Sequence, residues 1–282
     1  MAGIAVVTDS TAYFPANLAE ARSLTVVPLT VVLGGREGME GVDITPTDVA
    51  AALVARRSSV TTSRPAPAEF EKVYRRLLDG GADGVVSVHL SAKLSGTHES
   101  AVLAAAEFGS RVEVVDGRSA GMGVGFAALA AAEAAAAGQD LPGVRDAASA
   151  VVDRVTTLFY VDSLEYLRQG GRIGAASALV GTALSVKPIL HVADGAIVVR
   201  DKVRTASRAL ARMVDLAVEA AGDGEVDVAV HHLGAPERAA QLTTSLTARL
   251  GAALRDVYVS EIGAVVAAHA GPGLLSIVVR RR

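Results

Sequence analysis

The chain has no cysteine, no tryptophan and only 4% aromatic residues. Without cysteine there are no disulfides, no thiolate nucleophiles and no cysteine-ligated zinc. A surplus of either charge is also missing: 27 Lys and Arg stand against 30 Asp and Glu, a formal net charge of −3. A general nucleic-acid binder shows a basic face, so no nucleic-acid partner is expected. Long hydrophobic runs are absent too. The most apolar stretch, residues 124–137, carries Glu133 and is mostly alanine. It predicts a buried helix rather than a membrane span. Met1–Asp9 has no positively charged lead-in, so no signal peptide is expected and the expected location is cytoplasmic. No HExxH, paired-histidine spacing or Walker A pattern occurs, and no metal or cofactor is expected.

What is present is an aliphatic bulk. Hydrophobic residues make up 51% of 282 positions, enough for one large or two modest domains. The first half alternates strand and helix patterns. Strands are expected over 4–8, 25–33, 85–90 and 112–116, and helices over 15–22, 47–56, 67–79, 97–108 and 120–137. Alternation of this kind predicts a parallel sheet covered on both faces, with ligands beyond the carboxyl ends of its strands. The second half reads as a mixed sheet. Helices are expected over 163–170 and 175–184. Asp194-Gly195 between two β-branched runs predicts a hairpin, followed by helices over 206–221 and 236–250. The expected fold is therefore α/β with two α/β domains and the ligand between them. The first, residues 1–160, is a parallel-sheet three-layer domain. The second, residues 161–282, carries a mixed sheet.

The most informative segment is Ser91-Ala92-Lys93-Leu94-Ser95-Gly96-Thr97. A strand leads into it and a helix leaves it, so Ser95, Gly96 and Thr97 gather hydroxyls and backbone N–H groups suited to an anion. Thr61-Thr62-Ser63-Arg64-Pro65 adds a second hydroxyl run, and Pro65 holds the residue before it extended. Gln169-Gly170-Gly171-Arg172 places Arg172 just past a glycine helix stop. Lys202-Val203-Arg204-Thr205 offers a basic lip. His269, ahead of Gly271-Pro272-Gly273, can donate to an anion or act in acid–base chemistry. His191, His231 and His232 read instead as satisfied core or strand-end residues, and Asp9-Ser10-Thr11 reads equally as an anion site or as an Asx-type cap. A stand-alone phosphotransferase or hydrolase using Ser95 and His269 is the alternative, although no Gly-x-Ser-x-Gly elbow surrounds Ser95.

Taken in order, these pieces resemble the DegV family, bacterial fatty-acid-binding proteins that act as the lipid-carrying subunit of fatty acid kinase. The resemblance runs nearly end to end. It is carried by Thr8-Asp9-Ser10-Thr11-Ala12, Thr62-Ser63-Arg64-Pro65, Lys93-Leu94-Ser95-Gly96-Thr97, Val114-Val115-Asp116, Leu164-Glu165-Tyr166-Leu167, Gly170-Gly171-Arg172-Ile173, Lys187-Pro188-Ile189-Leu190, Arg204-Thr205 and His269-Ala270-Gly271-Pro272-Gly273. Arg64 stands where the family usually has Gln, and Ala66 where it has Ser. The resemblance implies a long-chain fatty acid buried between the domains as the only ligand. Its carboxylate would be held by the hydroxyls of Thr62 and Ser95 with a backbone N–H near Gly96; Ser63 and Thr97 would also be ligand-binding, and His269 would lie near the head group. Arg172 and Arg204 would face the head group or a fatty acid kinase catalytic subunit, which supplies ATP and makes acyl phosphate for phospholipid synthesis. It further implies transient contact with a membrane surface, and no catalytic residue in this chain.

Overall fold

The computed structural model describes residues 3–55, 59–179 and 186–282. In chain order its first part runs β1 (Ile4–Asp9), α1 (Leu18–Ala21), β2 (Leu24–Val27), β3 (Thr30–Leu33), β4 (Arg36–Met39), α2 (Pro46–Ala55), β5 (Val60–Ser63), α3 (Pro67–Asp79), β6 (Gly84–His89), α4 (Thr97–Ala105), β7 (Val112–Asp116), α5 (Met122–Ala136) and α6 (Leu141–Val152). It continues with β8 (Val155–Tyr160), α7 (Glu165–Gln169), β9 (Lys187–Ala193), β10 (Ala196–Val203), α8 (Ala206–Ala221), β11 (Val226–His232), α9 (Pro236–Leu250), β12 (Leu254–Glu261), α10 (Ala264–Ala270) and β13 (Leu275–Arg281).

Three sheets result. β2-β1-β6-β7 is wholly parallel. Every residue of β6 is buried, as expected for a strand covered on both faces. The second sheet is mixed, in the order β10-β9-β8-β13-β11-β12. A small antiparallel sheet, β4-β3-β5, stands apart. Helices α3 and α4 cover one face of the parallel sheet through Phe70, Tyr74, Ala101 and Ala104. Helices α8 and α9 cover one face of the mixed sheet through Met213, Ala217, Leu242 and Leu246. Between the two sheets lies α5, whose small side chains let it approach β1 and β6 on one side and β8 and β13 on the other.

The two-domain α/β expectation holds, with differences in detail. The strand expected over 25–33 is two strands in different sheets. Pro28 separates them, because a proline supplies no N–H to continue a ladder. The hydroxyl run 61–63, read as an extended loop, is strand β5. Helix α6 went unread, although Asp140 accepts from the Gly143 N–H at 3.0 Å and Pro142 occupies the first turn, both helix-start signals. Of the helix expected over 175–184, residues 174–179 form a 3₁₀ helix and 180–185 lie outside the described residues, as does Arg56 of the helix expected over 47–56. The Asp194-Gly195 hairpin is present, with φ of 47° and 79° at the two turn residues, as a two-residue primed turn requires.

Buried hydrogen bonds tie the parallel-sheet and mixed-sheet halves together. Ser91 Oγ donates to Gly195 O in the hairpin turn at 2.7 Å. Ser260 Oγ donates to Tyr13 O at 2.7 Å. His231, as expected, is a satisfied core histidine. Its Nε2 accepts from the Met122 N–H at 2.9 Å, which puts the proton on Nδ1 to face Ser260 Oγ at 3.0 Å. Burial pushes the His231 imidazole down from 6.5 to about 4. The unfolded chain therefore binds the proton first, and stability is full above the ordinary histidine value and declines as pH falls from 6.5 toward 4. Urea unfolding across that window should show a loss of up to about 3 kcal/mol from this group. His231→Gln should flatten the slope, and a slope unchanged by the substitution would contradict the assignment.

Candidate functional site

The chain folds so that five elements surround one cavity of about 130 Å³. The excursion β3–β5 contributes Leu29, Thr62, Ser63 and Arg64. The turn after β6 contributes Leu90, Leu94 and Ser95. The segment around α7 contributes Leu167 and Arg172. The mixed sheet offers Thr157, Phe159, Val192, Ile197, His231 and Ser276, and α10 offers Val265, Val266, His269 and Ala270. Register explains the sheet wall. Ser276 pairs with Phe159 and with His231, and Phe159 pairs with Leu190. These residues therefore share one face, opposite the face that α8 and α9 cover. Among the described lining residues only Ser63 and Arg64 are exposed, whereas Thr157, His231 and Ser276 are buried. The mouth is at the end of β5, and the mixed sheet closes the far end.

Most of the lining is aliphatic, and its polar groups lie at two levels: Thr62, Ser95, Arg172 and His269 near the mouth, and Thr157, His231 and Ser276 on the mixed-sheet wall, where each is engaged with a protein partner. Thr62 Oγ1 lies 2.7 Å from His269 Nε2. The other ring nitrogen of His269 is buried with no hydrogen-bond partner among the described residues and packs on Gly170, where a Cβ would overlap the ring, 3.1 Å from Cε1. Glycine at 170 is what lets the imidazole sit there. Burial first, and then the positive charge of Arg172, hold the His269 imidazole down at about 4. It is neutral at physiological pH. The Arg172 guanidinium donates from Nε to Leu94 O at 3.0 Å and from Nη1 to Gly170 O at 2.6 Å, which fixes the cation beside the turn after β6. Ser95 Oγ faces Thr97 Oγ1 at 2.9 Å and accepts from the Thr97 N–H at 3.3 Å. Arg64 Nη1 donates to Gly96 O at 3.3 Å and pairs with the Glu99 carboxylate.

The structure thus brings together Thr62, Ser63, Ser95, Arg172 and His269 from distant points of the sequence. Gly96 sits just outside, under Arg64, and Thr97 is fully buried in the first turn of α4. Arg204 lies beyond the cavity. A bulge between Val199 and Asp201 shifts the register of β10, so Asp201 faces α8, where it meets Arg212 at 2.7 Å, and Lys202 pairs with Pro188 on the cavity side. Arg204 shares the face of Lys202 and is exposed. Asp9 is a cap: it accepts from Thr11 N at 3.0 Å and, on its other oxygen, from Leu90 N at 3.0 Å, facing His89 Nδ1 at 3.0 Å. Two contributors went unread. Tyr13 and Glu40 gave no local pattern, because their role depends on α10. The Glu40 carboxylate accepts from the Ser10 hydroxyl, the Tyr13 hydroxyl at 3.0 Å and the Val265 N–H at 2.7 Å.

A mostly aliphatic cavity between two sheets, with hydroxyls, a neutral histidine and an arginine at its mouth, has the chemistry to suit an amphipathic ligand. The chain belongs to the DegV family, whose model matches residues 3–282. It is similar to a DegV domain-containing protein of Streptomyces coelicolor, with 53% identity covering 99% of each chain. It is also similar to one from Mycobacterium tuberculosis, with 44% identity over 98% of this chain and 96% of that one. Among solved structures, a DegV family protein from Thermus thermophilus described by its fatty acid binding superposes with a TM-score of 0.94. It shares 36% identity and covers 99% of this chain and 100% of its own. DegV from Bacillus subtilis, described as a fatty acid binding protein, superposes with a TM-score of 0.89 at 32% identity, with both chains fully covered.

The neutral state of His269 is open to measurement. Histidine side-chain NMR should show its ring titrating near pH 4 rather than 6.5. Arg172→Ala removes a nearby cation and should move that midpoint upward. A midpoint that stays in place would leave burial as the sole cause.

Proposed function

We propose that this protein binds a long-chain fatty acid in the cavity, tail inward, and presents its carboxylate at the mouth to a separate kinase. The observation that carries the reading is the pairing of a buried, mostly aliphatic wall, whose inner polar groups Thr157, His231 and Ser276 are engaged with protein partners, with Thr62, Ser95, Arg172 and His269 gathered at the mouth. Each buried methylene of a tail stabilises binding by about 0.8 kcal/mol. The carboxylate opposes burial unless donors surround it. Thr62, Ser95 and the charge of Arg172 supply them, and the fatty acid binding described for the Thermus and Bacillus relatives supports the same ligand.

His269 orients the head-group site and is not the base of a hydrolase. A lone pair on its buried Nδ1 is favoured by the nearby Arg172 cation. Nε2 then carries the proton and donates to Thr62 Oγ1, which frees the Thr62 hydroxyl proton for the ligand carboxylate. Ser95 acts as a donor rather than a nucleophile: its Oγ accepts from the Thr97 N–H and can accept from the Thr97 hydroxyl, which leaves its own proton for the carboxylate, and no ring nitrogen bonds it among the described residues. The partner kinase transfers the terminal phosphoryl group of ATP to a carboxylate oxygen, releasing ADP and leaving an acyl phosphate on this chain. Arg204 and Lys202, exposed on the cavity side of β10, are placed to meet that partner.

Lipid extraction of the protein purified from bacteria, followed by mass spectrometry, should recover stoichiometric fatty acid; recovery of none would refute the reading. Thr62→Ala and Ser95→Ala should each weaken fatty-acid binding about tenfold or more, the loss expected for one hydrogen bond to a charged group. Titration calorimetry with a saturated fatty acid measures this, and unaltered affinity in both variants would remove the carboxylate from this site.

A further inference from the structure

The mouth of the cavity is crossed by one side chain. Arg64 leaves the end of β5, lines the cavity, and reaches over the loop after β6 to pair with Glu99 in the first turn of α4. Its guanidinium packs against Gly96, where a Cβ would come within 2.9 Å of Cζ, and Nη1 donates to Gly96 O at 3.3 Å. The backbone on the Arg64 side is held. Pro65 is buried, and the Ala66 N–H is tied to Glu69 at 2.8 Å. The side chains are not held: those of Arg64 and Glu99 are 47% and 67% exposed. The bridge can therefore open by side-chain rotation alone, with no loop movement, on the fast timescale of exposed rotamers.

We propose that Arg64 is a latch across the mouth, and that the fraction of time it is released from Glu99 scales the rates at which an acyl ligand enters and leaves. The proposal rests on the fatty-acid reading above. Arg172 provides the fixed cation at the head-group site, because its donors are held by Leu94 O and Gly170 O. Arg64 is the movable one, with an exposed partner that water and salt can replace. An exposed ion pair is weak and is screened by salt. Such a latch changes both rate constants together and leaves the equilibrium nearly untouched.

The test is stopped-flow binding and release of anthroyloxy-labelled palmitate with the wild type and Glu99→Gln. Glu99 does not line the cavity, and the substitution keeps its size. The expected result is a rise of about two- to fivefold in both the association and the dissociation rate constants, the range an exposed pair supports, with a dissociation constant changed less than about twofold. Raising the ionic strength should speed release from the wild type and have no such effect on Glu99→Gln. Arg64→Gln, which also takes a cation out of the lining, should share the insensitivity of release to salt. Unaltered rates, or a change in the dissociation rate constant alone with an equal loss of affinity, would overturn the latch while leaving fatty-acid binding intact. Failure of the wild type to bind the probe saturably would overturn both.

Discussion

The buried carboxylate of Glu40 is the joint on which one wall of the cavity hangs. It sits just after β4, within the excursion that leaves the parallel sheet after β2, and it meets the first turn of α10, some 225 residues further along the chain. Three donors converge on it, and the Tyr13 hydroxyl that it receives in turn accepts from the Val266 N–H at 3.1 Å. Burial raises the Glu40 carboxyl above its ordinary value, and burial with the neighbouring carboxylate raises Tyr13 well above its own. A short helix has no stability by itself in water. Fastened at its first turn and closed by the Gly-Pro-Gly turn, α10 carries His269 at its far end to within hydrogen-bond reach of Thr62. Thr62 stands on β5 of the same excursion that holds Glu40, so one connection places both members of the pair.

The rest of the site follows from how two sheets share a filling. The parallel sheet and the mixed sheet both turn apolar faces inward, and alanine-rich α5 keeps them close over part of their area. Where α5 begins, at Gly121 and Met122, the sheets diverge and the cavity opens. Polar ties frame that opening: Ser91 to the β9–β10 turn, Tyr13 O to Ser260, Met122 N to His231. Each satisfies a group that would otherwise be buried without a partner, so the ties resist rearrangement more than their net contribution suggests. The cavity is then a mostly aliphatic space with a rigid rim, whose inner polar groups are already bonded within the protein and whose ligand-facing ones stand at the mouth.

Much of this was legible from residues in sequence. Helices α3, α8 and α9 follow from their spacing of apolar positions, and the hairpin from Asp194-Gly195. The hydroxyls at 62 and 95, Arg172 and His269 stand out because polar and glycine residues interrupt apolar patterns there. What could not be read depends on contacts far apart in the chain. Glu40 looks like any surface glutamate until α10 is packed on it. Tyr13 lies in a turn with no periodic signal. Arg204 carries a basic signature, but its side of the sheet depends on the bulge at 199–201, which no local pattern announces. Arg64 drew notice as a substitution at the lip, yet its reach to Glu99 needed the loop and helix beside it.

Helix α5 touches the sheets of both halves, and one continuous apolar cluster runs through it from Val6 and Val86 to Phe159 and Val278. The division into two domains is thus a matter of topology and not of independence. Neither half can hold its inner sheet face dry without the alanine layer, and the layer belongs in sequence to the first half alone. A chain growing from its N-terminus completes the parallel sheet and α5 before the strands that cover the other side of α5 exist. During that interval the alanine face is bare. Its small side chains present little apolar area per residue, so the face that must wait longest for its partner is also the one least prone to capture a wrong one.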